Sequence, residues 1–172
     1  FRIFFKYLSQ KAKIIDKNPA QTLETPKLNK RLPKHLNLEE SKKLLAVTDN
    51  EDNRNHERDY AILTVFLNCG LRLSELVGIN IQDIDFSENK MNVIGKGNKE
   101  RTIYLNKACV KAIGEYLAVR PKNGVKPDKL HSDKALFLSE RKERISRRTV
   151  QHIVYTKLLA AGLDPSKYST HK

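Results

Sequence analysis

From Tyr60 to Leu67 the chain is almost wholly apolar, and it then runs through Asn68-Cys69-Gly70-Leu71-Arg72-Leu73-Ser74-Glu75-Leu76. A helix that apolar is buried. Gly70 is suited to end it, because glycine is free to adopt positive φ. The leucines at 71, 73 and 76 argue that the following turn packs back against the same core. Arg72 falls among them, and a guanidinium at the edge of a core is costly unless an anion meets it. Two anions fit: Glu75, one helical turn on, or a phosphate brought by a ligand. These residues alone are compatible with a structural Arg–Glu pair and with a ligand site.

The charge balance bears on that choice. The formal net charge is +13 and the pI is near 9.8, which points to a polyanionic partner; a ribosomal-type or membrane-surface protein would share this property. No apolar run approaches the roughly 18 residues of a membrane span, and no leader of secretory type opens the chain, so a cytoplasmic protein without a membrane partner is expected. The 172 residues suffice for one domain and a short appendage. Phe1 is not an initiator methionine, and the chain is read as a piece of something longer. Cys69 and Cys109 lie in apolar surroundings without metal-ligand spacing and read as reduced core cysteines.

Taken in order, residues 1–15 carry apolar side chains at 1, 4, 5 and 8, a helical spacing that reads as the last helix of an upstream domain, which the family resemblance given below would make a DNA-clamping, core-binding one. Residues 16–36 hold Pro19, Pro26 and Pro33 among Lys27, Lys30, Arg31 and Lys34 and read as an extended basic linker. That linker is either a solvated tether or a strap along a phosphate backbone. Residues 37–172 form the main domain. Asn37 is placed to cap a helix reaching about Thr48, with Glu39 and Glu40 at its positive end. After a polar loop, a helix spans Arg58 to Cys69, and a short one spans Ser74 to Val77.

Between Ile81 and Leu105 the period changes. Ile84 and Phe86 alternate with acids, and Met91-Asn92-Val93-Ile94 and Thr102-Ile103-Tyr104-Leu105 are strand-like. Gly95-Lys96-Gly97-Asn98-Lys99 forms the tip of the last hairpin. Asn106 caps a helix to about Val119, with Ala108, Val110, Ile113 and Leu117 on its buried side. Ser146 caps a final helix from Arg147 to Ala161, ended by Gly162. The fold class is mainly α with a small three-stranded antiparallel β-sheet (α+β).

Lys96 sits between two glycines, which let a backbone approach a ligand closely; an ordinary exposed turn lysine would look the same. Arg147, Arg148 and Thr149 open a helix where they either meet phosphates or form a solvated end. Arg141 and Arg144, with Lys99 and Arg101 on the hairpin, add to the same basic surface. No Asp/Glu/His cluster has metal-ligand spacing, so neither a metal nor a cofactor is expected.

Three stretches resemble the catalytic domain of the tyrosine site-specific recombinases, the Xer and phage-integrase family. Residues 69–76, Cys-Gly-Leu-Arg-Leu-Ser-Glu-Leu, resemble the motif around the family's first catalytic arginine. Residues 94–101, Ile-Gly-Lys-Gly-Asn-Lys-Glu-Arg, resemble the hairpin bearing its lysine. Ser169-Thr170-His171-Lys172 resembles the start of its His-x-x-Arg box. The resemblance implies that Arg72 binds the non-bridging oxygens of a scissile phosphate, with Glu75 orienting it. It implies that Lys96 protonates the departing 5′-oxygen and that His171 contacts the phosphate and assists proton transfer.

The implied activity is DNA strand exchange through a 3′-phosphotyrosyl link, without a metal, by tetramers on two duplexes of DNA. None of the six tyrosines follows the His box. The apolar neighbours of Tyr60, Tyr104 and Tyr155 favour packing, so the nucleophile is expected outside this chain, which should not cleave DNA by itself. The alternatives are a non-catalytic DNA-binding module of the same fold and a type IB topoisomerase-like enzyme acting alone.

Overall fold

The computed structural model of the chain describes residues 1–24, 35–48, 54–95, 97–121, 125, 128 and 130–168. Its contacts divide it into two units, residues 1–32 and 33–172. In the first unit, helix α1 runs Arg2–Gln10 and buries none of its residues. It stops short of Ile15 because Lys13 takes a left-handed φ of 51° and the Ile14 N–H reaches back to the Leu8 carbonyl at 3.0 Å, which closes the last turn. Turns follow, with Ala20 buried and its N–H on Asn18 Oδ1 at 2.9 Å. The basic, proline-bearing stretch expected to be tether or strap falls largely on residues 25–34, outside the described set.

The second unit is helical around a small sheet. Helix α2 (Leu38–Ala46) begins with a reciprocal cap: Asn37 accepts from the Glu40 N–H, and Glu40 accepts from the Asn37 N–H, both at 2.8 Å. Helix α3 (His56–Cys69) is buried along most of its first three turns and ends at Gly70, whose φ is +57°. Helix α4 (Leu73–Gly78) follows at once. Strands β1 (Ile84–Asp85), β2 (Lys90–Ile94) and β3 (Glu100–Tyr104) form an antiparallel sheet in that order. Helices α5 (Lys107–Val119) and α6 (Arg147–Ala160) are capped by Asn106 and Ser146 through their side-chain oxygens.

The core gathers Ile62 and Val65 of α3, Leu73 and Leu76 of α4, Met91 and Val93 of β2, Ile113 of α5 and Phe137. Between α5 and α6 the buried segment 135–138 is held by bridges from Ala135 to Asn80 and from Leu138 to Arg144. A second cluster, Leu44, Leu63 and Leu158, joins α2, α3 and α6. Cys69 and Cys109 are free, with their sulfurs 3.8 Å apart. Among the described residues no helix is long and apolar enough to cross a membrane.

Three expectations need correction. Strand β1 does not reach Phe86: Asp85 accepts from the Ser87 N–H and hydroxyl and from the Glu88 N–H, which turns the chain there. Those bonds, that from Ser87 foremost, hold the Asp85 carboxyl at about 2. The buried side of α5 is Cys109, Ala112, Ile113 and Tyr116, while Ala108 is exposed and Val110 and Leu117 are only half-buried. Tyr116 can go inside because its hydroxyl accepts from the Leu138 N–H at 3.1 Å and its ring stacks on Phe137. Finally, Tyr104 and Tyr155 do not pack inside: they are 80% and 53% exposed. Tyr104 lies on the outward face of β3, opposite Lys90.

Candidate functional site

Gly70 reverses the chain, and the buried Leu71, Leu73 and Leu76 anchor it on either side of Arg72. Arg72 is extended, with φ −75° and ψ 152°, at the residue preceding α4. Its backbone N–H donates to Glu75 Oε2 at 2.9 Å and its Nη1 to Glu75 Oε1 at 2.8 Å. The rest of the guanidinium faces outward, the side chain being 68% exposed against 1% for Glu75. The structural Arg–Glu pair is thus present, with the carboxylate taking one edge of the guanidinium from inside and the rest of the group facing solvent.

Glu75 is also reached from the sheet, by Arg101 Nη2 at 2.8 Å from Oε2. Burial pushes the Glu75 carboxyl up, but the Arg72 N–H and the two guanidinium bonds outweigh it and hold the group below its usual value. The hairpin backbone arrives at the same place. A Cβ on Gly95 would lie 3.1 Å from Glu75 Oε1 and 3.9 Å from Arg72 Nη1, so only glycine gives this approach without displacement. The turn is closed by the Gly95 N–H on the Lys99 carbonyl at 2.8 Å, with Gly97 at φ +77°.

Lys96 and His171 lie outside the described residues. Gly95, the residue before Lys96 in sequence, stands against the Arg72–Glu75 pair. The chain leading toward His171 is described to Tyr168, whose hydroxyl donates to Glu40 Oε1 at 2.9 Å. That bond to the carboxylate raises the Tyr168 phenol's pKa.

The remaining basic residues divide. Lys99, Arg141, Arg147 and Arg148 are exposed. Arg141 and Thr149 line one surface hollow together with His152 and Lys157. The Thr149 N–H and hydroxyl are both engaged by the Ser146 hydroxyl, at 3.1 and 2.9 Å. Arg144, expected on the DNA face, has its guanidinium engaged within the protein. Its guanidinium donates to the Leu130, Val77, Ile79 and His131 carbonyls and to Asn80 Oδ1, at 2.6–3.2 Å. With Nε and both terminal nitrogens so engaged, it stitches the 130–144 loop to the end of α4. Arg101 points inward to Glu75, and the sequence carried a signal for this: in strand alternation, 101 and 103 share the face of 91 and 93. Among the described residues no three His, Cys, Asp or Glu side chains gather as metal ligands would.

Residues 34–172 match the model of the phage integrase family. A tyrosine recombinase XerC of Caldanaerobacter subterraneus subsp. tengcongensis is 61% identical over 171 residues, covering 99% of this chain and 46% of that protein. The XerC of Thermodesulfovibrio yellowstonii is 37% identical over 153 residues, 89% of this chain and 50% of its own length. The chain thus spans about half the length of the curated relatives it matches. The crystal structure of the XerA recombinase superposes with a TM-score of 0.69 at 26% identity, covering 98% of this chain and 63% of that one. The Tn1549 transposon integrase, solved in complex with circular intermediate DNA, gives a TM-score of 0.73 at 19% identity over 96% of this chain and 58% of its own, a likeness of fold. The helical domain with its three-stranded sheet, the Arg72–Glu75 pair beside the hairpin, and a family match running from residue 34 to 172 lead to one conclusion: this chain belongs to the phage integrase family.

Proposed function

We propose that the full-length protein is a site-specific DNA recombinase that breaks and rejoins strands by phosphoryl transfer, and that this chain supplies part of its catalytic domain. The observation that carries the reading is the outward-facing guanidinium of Arg72, locked from behind by a buried carboxylate, with the glycine hairpin against it. A phosphodiester gains negative charge on its equatorial and leaving oxygens during displacement, and a preorganised cation meets that charge without reorganising.

In this scheme a tyrosine oxygen, contributed by residues outside this chain, attacks the scissile phosphorus. The new bond is a 3′-phosphotyrosyl ester, and the bond that breaks is that to the 5′-oxygen, which takes a proton from the Lys96 ammonium. Return of a 5′-hydroxyl from the second duplex reverses the step and releases the tyrosine. Arg72 holds non-bridging oxygens throughout, Glu75 orients it, and His171 assists at the phosphate. No metal is required, because the cations supply the charge. The protein acts on double-stranded DNA as a tetramer on two duplexes.

The general-acid assignment is tested with a nicked suicide duplex in the full-length protein. Lys96→Ala lowers cleavage by about 10²–10⁴-fold, and a 5′-bridging sulfur, which leaves without a proton, restores most of the rate. Absence of rescue removes Lys96 from that role. The basic surface has its own test. Duplex affinity falls steeply with salt, and replacing both Arg147 and Arg148 with Ala flattens the log–log slope by about two. A slope unchanged in that double variant takes the start of α6 out of the interface.

A further inference from the structure

Arg101 stands in a strand position that ordinarily holds an apolar side chain. Its cross-strand partner is Val93, buried at 3%, and the next pair on that face is Met91 with Ile103. The arginine is 46% exposed, yet its Nη2 is 2.8 Å from the oxygen of a carboxylate that is only 1% exposed. That oxygen, Glu75 Oε2, also accepts the Arg72 N–H, while Oε1 accepts Arg72 Nη1. One buried carboxylate thus joins Arg101 of β3, through Oε2, to Arg72, the residue preceding α4, through both oxygens. The other strand of the same hairpin reaches that carboxylate through Gly95.

We propose that Arg101 is a positioning residue for the phosphoryl transfer. Acting through Glu75, it fixes the direction of the Arg72 guanidinium and the height of the 95–99 hairpin beside it. The inference rests on the reading of Arg72 and Lys96 given above.

Two physical effects follow from the tie. The first is electrostatic. A lone Glu75 would neutralise Arg72 and draw it inward, whereas a carboxylate shared between two guanidiniums leaves the trio with a net positive charge, so the outer edge of Arg72 keeps its pull on a phosphate. The second is geometric. The hairpin and α4 are separate elements, and a catalytic pair drawn from both needs a link that sets their spacing, since a displacement of about 1 Å costs about 100-fold in rate. Arg101 makes this link through one terminal nitrogen, Nη2, 2.8 Å from Glu75 Oε2, and the rigid guanidinium loses less freedom in holding it than an ammonium would.

The experiment uses the full-length protein, a nicked suicide duplex and single-turnover cleavage at saturating DNA. Arg101→Gln slows cleavage by about 10- to 100-fold while duplex affinity and its salt slope stay as in the parent. Arg101→Lys, which keeps the charge without the fork, recovers part of the rate. The Arg101→Gln penalty shrinks in an Arg72→Ala background and likewise in a Lys96→Ala background, because in each one of the two groups being positioned is gone. Should Arg101→Gln not fold, the Lys variant carries the same cycle with a smaller loss.

Weaker binding with a salt slope lower by about one, but full cleavage once bound, would make Arg101 a plain phosphate contact and overturn the proposal. A penalty that persists undiminished in both the Arg72→Ala and the Lys96→Ala backgrounds would make its role general stability and would overturn it too. Undiminished cleavage by Arg72→Ala alone is a different failure: it removes the catalytic reading of the site itself and is read without altering Arg101.

Discussion

Arg72→Ala in the full-length protein lowers cleavage of a nicked duplex by about 10²–10³-fold, the loss typical of removing one preorganised donor to a developing anion. Duplex binding changes far less, because one phosphate contact among many is lost and the salt slope falls by about one at most. The effect is large because the guanidinium is already oriented. Glu75 holds its inner edge, and the chain reversal at Gly70 fixes where the side chain leaves the backbone. Arg72→Lys is not conservative here. An ammonium is a single point of charge and does not hold Glu75 on one edge and a phosphate on the other, so it recovers little of the rate. Cleavage by Arg72→Ala at the parent rate would leave only the structural half of the Arg–Glu reading standing.

What the sequence made legible was local. Asn37, Asn106 and Ser146 each cap the helix assigned to them, because capping needs a side-chain oxygen and an N–H three residues away. Gly70 ends α3 at positive φ for an equally local reason. The hairpin was visible from strand alternation around Gly95 and Gly97. Contacts across long separations were not visible. Arg144 looked like one more cation in a basic run, and nothing nearby showed that Val77, Ile79 and Asn80 take up its guanidinium from some 65 residues away. Tyr116 enters the core because its hydroxyl finds a partner that its own stretch does not show, the N–H of Leu138, 22 residues on. Arg101 is the intermediate case. Its inward face was readable from alternation with Ile103, but a charged residue in that register makes sense only once Glu75 is known to wait there.

The second large effect is on stability and falls at Arg120→Ala, which costs about 3 kcal/mol or more in the folding of this chain. Arg120 follows α5 and is only 8% exposed. Its Nε donates to the Leu136 carbonyl at 3.1 Å, and its Nη2 to the Ala135 and Ser132 carbonyls at 2.7 and 3.4 Å. A buried charge held by neutral carbonyls is an unusual way to fasten a segment, and it works because a guanidinium presents five donors in one plane. Those carbonyls belong to the stretch that carries Phe137 into the core and bridges to Asn80, at the end of α4. Removing the guanidinium leaves several buried acceptors without donors, each costing about 1–3 kcal/mol. Arg120→Met separates the two contributions, since it keeps most of the packed volume and none of the donors. If hydrogen bonding dominates, Met and Ala lower the melting temperature by similar amounts, roughly 6–12 °C for a chain of this size. A Met variant melting with the parent would assign the site to packing instead, and would loosen the argument that carbonyl capture holds the segment behind α4 in place.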